Sequence, residues 1–182
     1  MQPVKILNPK TGKALAVDDT DNVLPVIEYT HHEIHEGNFF TCYYVDADFD
    51  IADTVSLLIS VAEKPAHMTF LVRAGKDTTV TLYEGVTHTA LVEQTMTCNN
   101  RVRATVPTTR ISTRNSDGSD GTAIWSTTFG IGANPTVART EDSRDQNEWV
   151  LRPNTKYQLV VSTGTDNSSL SIQIHWYEED TK

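Results

Sequence analysis

Cysteine is scarce. Cys42 and Cys98 are the only two in 182 residues, each lies inside a β-like run, and neither belongs to a CxxC pair, so a disulfide framework and a zinc knuckle are both excluded. Two buried free thiols are expected instead. Positive charge is also short: 15 Lys and Arg stand against 24 Asp and Glu, a formal net charge of −9. With no basic run to interrupt the acidic background, a phosphate backbone meets repulsion over most of the surface, and nucleic acid is not an expected partner. Nowhere are there about 18 consecutive apolar residues, the length a membrane-spanning helix needs, so no membrane partner is expected either. The opening "MQPVKILNPKTGKALAVDD" has no apolar signal-peptide core, which leads to the expectation of a protein made in a cytosol.

Catalytic signatures are missing as well. There is no Gly-x-Ser-x-Gly elbow, and "GIGANP" at 130–135 has neither a third glycine nor the strand and helix that a phosphate cradle requires. Asp46, Asp48 and Asp50 alternate in "VDADFD", a pattern more economically read as a solvated strand end than as a glycosidase pair. No enzyme and no cofactor is expected.

What is there is alternation of apolar and polar residues, the period of a half-buried strand, from residue 26 to residue 178. Val55, Leu57, Ile59 and Val61 form one inward row, Met68, Phe70 and Val72 another, and Val80 and Leu82 a third after the turn at Gly75 to Asp77. These three runs read as a meander. Near the end, Tyr157, Leu159 and Val161, then Leu170, Ile172, Ile174 and Trp176, read as a hairpin. No window carries a helical stripe over three turns. The expected fold is all-β, a single β-sandwich or jelly roll over residues 25–182, with residues 1–24 as an extended arm and residues 107–147 as a long polar excursion.

The densest polar cluster is "EYTHHEIHE" at 28–36. As a strand it places Tyr29, His31, Glu33 and His35 on one face, and His31, Glu33 and His35 are then the nearest approach to a metal-ligand row. Three strand positions spanning about 13 Å do not converge on one ion, and the spacing is one residue short of the helical His-Glu-x-x-His motif, so no metal is expected. A polar strand at a subunit interface, to which His31, His32, Glu33, His35 and Glu36 contribute from its two faces, fits better. Among the tryptophans and tyrosines, Trp125 alone falls in the long excursion, which makes it the candidate for stacking on a sugar ring. Trp149, Tyr157 and Trp176 read as core.

Taken together, "NPKTGKALAVDDTDNVLPV" followed by "HHEIHEGNFFT", then "CNNRVRA" and "LRPNTKYQLVVS…IQIHWYE", resembles small virion proteins of tailed bacteriophages. The resemblance runs in order over most of the chain. It implies a capsid decoration or cement protein, a non-enzymatic structural protein that sits on the head surface as a trimer, with itself and the major capsid protein lattice as partners. In such a protein the arm is the grip on the shell, through Val4, Ile6, Leu7, Pro9, Leu15 and Val17. A glycan-binding module on the virion, using Trp125, is the alternative, and a small β-fold metalloenzyme centred on His31, Glu33 and His35 is the third reading.

Overall fold

The computed structural model describes residues 29–51, 53–114, 121–129, 138–139 and 148–179. The arm, with Val4, Ile6, Leu7, Pro9, Leu15 and Val17, lies outside the described residues. Among the described residues one helix, α1 (Tyr29–Glu36), precedes twelve strands: β1 (Phe39–Phe49), β2 (Thr54–Ser60), β3 (Ala66–Ala74), β4 (Thr78–Glu84), β5 (Val92–Glu93), β6 (Met96–Cys98), β7 (Arg110–Arg114), β8 (Thr122–Phe129), β9 (Ala138–Arg139), β10 (Trp149–Leu151), β11 (Lys156–Thr163) and β12 (Ser168–Glu178). All pairings among them are antiparallel.

The strands form two sheets. One has the order β10-β3-β12-β1-β6, with β9 beside β3, and the other the order β5-β7-β2-β11-β4-β8. The core between them is lined by the expected alternating rows: Val55, Leu57, Ile59, Met68, Phe70, Val72, Val80, Leu82, Leu159, Val161, Leu170, Ile172, Ile174 and Trp176 are all buried. Cys42 and Cys98 are buried free thiols. β2 departs from simple alternation because Ser56 and Leu58, on its other face, are buried too.

Three expectations about connectivity are corrected. The runs β2, β3 and β4 are not a meander, because β3 belongs to one sheet while β2 and β4 flank β11 in the other. β11 and β12 are not a hairpin: β11 lies between β2 and β4, whereas β12 is paired with β1 and β3. Alternation records which side chains turn inward and carries nothing about which strand lies alongside, since the same inward row suits either sheet. The described parts of 107–147 are also not an excursion. β7 pairs with β2 and β8 with β4, so both extend the second sheet, and β9 adds to the first. Polar Thr and Ser at the outward positions of these strands resemble loop composition; Thr79 and Thr81 bond their counterparts Thr128 and Ser126 at 2.9 Å each.

Buried polar groups tie the strand ends together. Glu178, 6% exposed, accepts from the Thr108 N–H at 3.0 Å, the Thr108 hydroxyl at 2.7 Å and the Thr109 N–H at 2.7 Å, with the Trp176 indole N–H at 3.4 Å. The Tyr157 hydroxyl donates to Glu84 at 3.0 Å and accepts from the Arg152 N–H at 2.9 Å, fixing the turn between β10 and β11. Burial first, and the neighbouring Glu84 carboxylate second, raise its pKa.

Candidate functional site

Residues 29–36 form a helix, not the expected strand. Its end explains why. Gly37 has φ +84°, a left-handed conformation, and the Gly37 N–H donates to the Ile34 carbonyl at 3.2 Å while the Asn38 N–H donates to the Glu33 carbonyl at 3.0 Å. These are the two bonds of a Schellman cap, for which glycine is the preferred residue. A Cβ at position 37 would lie 2.3 Å from the Arg103 carbonyl oxygen, so glycine is required sterically as well. The signal overlooked in the sequence is therefore the glycine closing "HHEIHEG", a helix stop, together with a strand row that lacks apolar residues.

Helical spacing redistributes the candidate ligands. Residues four apart share a face, and His31 Nε2 lies 2.8 Å from His35 Nε2, with ring centroids 4.6 Å apart. Glu33 turns the other way. It is 6% exposed and is held by Asn38 Nδ2 at 3.3 Å and His32 Nδ1 at 3.3 Å. The expected row of His31, Glu33 and His35 is thus split: Glu33 is buried, while His31, His32, His35 and Glu36 are exposed.

The helix end is latched to the loop after β6. Asn100 donates through Nδ2 to the His35 carbonyl at 2.8 Å, and its Oδ1 accepts from the Val102 and Arg103 N–H groups at 3.0 and 2.9 Å. Cys98 Sγ donates to the Gly37 carbonyl at 3.3 Å, and the Thr105 hydroxyl donates to the same oxygen. The loop so fixed presents Val102, 93% exposed, and Val106, 73% exposed, beside the exposed Arg101 and Arg103. The end of the histidine-bearing helix and the loop carrying the exposed valines and arginines are thus hydrogen-bonded to each other.

Other candidates fall elsewhere. Trp125 is not in a loop. It lies on β8 opposite Leu82, half-buried and packed against the core. His67 stacks on Tyr177 with 4.5 Å between centroids, and its two ring nitrogens face different carboxylates, Nδ1 toward Glu148 at 3.4 Å and Nε2 toward Glu179 at 3.6 Å, an arrangement that cannot converge on one ion. Among the described residues, no group of three or more His, Cys, Asp or Glu is placed to hold a metal. Burial pushes the Cys42 thiol up to about 11, which keeps it protonated and unreactive at neutral pH. Among the described residues no helix is long and apolar enough to cross a membrane.

Comparison with protein families, with curated sequences and with solved structures yields no match.

Proposed function

We propose that this chain is a non-enzymatic structural protein of a tailed-bacteriophage virion, a decoration or cement subunit that binds the head shell as a homotrimer. The observation that carries the reading is strand order. Setting aside β5 and β7 beyond β2, β6 beyond β1, and β9 beside β3, the sheets reduce to β10-β3-β12-β1 and β8-β4-β11-β2, with each strand in the opposite sheet from the one before it except at the step from β4 to β8. We read this order as a jelly roll, an architecture that recurs in viral capsid domains. The acidic surface and the exposed side chains of His31, His35, Val102 and Val106 suit docking on a protein lattice, since exposed apolar side chains rimmed by polar ones mark contact surfaces.

Light scattering coupled to size-exclusion chromatography tests the oligomer. A concentration-independent trimer is expected, and a monomer at high micromolar concentration would overturn the trimeric cement reading. Removal of residues 1–24 is expected to leave the sandwich folded and abolish sedimentation with capsid shells. The same fold class also includes lectins, so Trp125→Ala on a glycan array separates the alternatives: loss of a glycan signal with the oligomer intact would favour adhesion to a host surface.

A further inference from the structure

Among the described residues, His31 and His35 bring two exposed imidazole nitrogens within 2.8 Å of each other. Both side chains are exposed, both belong to one short helix whose end is fixed by Gly37 and Asn100, and the nitrogens that meet are the two Nε2 atoms, 2.8 Å apart. As a free pair, one neutral ring donates its N–H to the lone pair of the other. A metal ion takes the place of that proton once the donating ring carries its N–H on Nδ1 instead, which leaves a lone pair on each Nε2 and releases no net proton.

Two nitrogens this close lie within reach of cis positions on one ion, which are about 2.8 Å apart at a right angle and about 3.3 Å at a tetrahedral angle for metal–nitrogen bonds of about 2.0 Å. Among late divalent ions, copper has the highest intrinsic affinity for such a site. Turning exposed imidazoles so that both lone pairs aim at one point needs only a change about a soft terminal torsion. We propose that His31 and His35 form a two-imidazole anchor for a divalent late transition-metal ion, copper(II) ahead of nickel(II) and zinc(II), with water in the remaining positions. Glu33 takes no part, because it is buried on the opposite side of the helix. His32 is turned toward Glu33 and is not a ligand. The inference is independent of the virion reading, as it rests on this helix alone.

The test is calorimetric titration of the full-length, tag-free protein with copper(II) and nickel(II), with nitrogen hyperfine structure in the copper spin resonance spectrum as a second readout. One equivalent is expected to bind with two nitrogen ligands. His31→Ala and His35→Ala each leave a single imidazole, so both weaken binding on the order of 10²-fold, the advantage a second tethered ligand supplies. His32→Ala leaves it unchanged. Because these side chains are exposed, circular dichroism of the variants is expected to match the parent. Absence of saturable binding, undiminished binding in His35→Ala, or an equal loss in His32→Ala would each overturn the assignment.

Discussion

Glu178 is a single carboxylate on which two segments depend. Its oxygens receive two backbone N–H groups and a hydroxyl from Thr108 and Thr109, just before β7, while the residue itself ends β12 in the other sheet. Substitution to alanine leaves buried N–H donors without acceptors, each such loss costing about 1–3 kcal/mol. Glu178→Ala is therefore expected to lower the unfolding free energy by about 3 kcal/mol, read from urea midpoints at constant slope. At Cys42 the prediction concerns pH. An unfolded thiol ionises near 9.0, while burial keeps the folded one protonated to about 11, so the unfolded state loses its proton first and stability falls as pH rises through that interval. Native protein at pH 8 is expected to leave Cys42 unalkylated by iodoacetamide. Cys42→Ala is expected to show a smaller stability loss between pH 8 and pH 10 than the parent.

At the scale of the element, two glycines make a matched comparison. Gly37 and Gly85 both have positive φ, +84° and +77°. An added Cβ at Gly85 meets nothing within 4 Å, whereas at Gly37 it strikes the Arg103 backbone oxygen. Gly85→Ala is thus expected to cost only the left-handed strain of about 1 kcal/mol. Gly37→Ala is expected to cost that plus displacement of the Arg103 loop, and to raise amide hydrogen exchange selectively in α1 and residues 99–106, while exchange in β2 and β11 is unchanged. The strands were legible because inward rows such as Leu170, Ile172, Ile174 and Trp176 repeat every second residue, and burial follows that row without a gap. α1 was not, since eight residues with Ile34 as the only aliphatic one have almost no apolar pattern to read. Its evidence is the cap, which a reading based on periodicity passes over. For the same reason the pairing of His31 with His35 was hidden: a strand separates them and a helix joins them.

At the scale of the molecule, the core draws on both sheets as one cluster, from Phe40 and Trp176 to Leu57 and Leu82. Unfolding is expected to be a single transition in which Trp fluorescence and far-ultraviolet dichroism coincide. Non-coincident curves would divide the chain into separate cooperative units. Strand order was the part least available to sequence reasoning. Whether β3 lies beside β2 or beside β12 is decided by distant pairings such as Ile172 with Val72, and no local signal encodes that choice.

β1 and β12 lie side by side in the middle of one sheet, joined from Phe39 opposite Tyr177 to Phe49 opposite Ser168. On the ribosome β1 emerges early and must wait, with Phe40 and Cys42 uncovered, until nearly all the rest of the described chain has been made. Closure of the sandwich is thereby a late and abrupt event of synthesis. A nascent chain stalled before Ser168 is expected to be held by chaperones or degraded, whereas one released just beyond Glu178 has all twelve described strands.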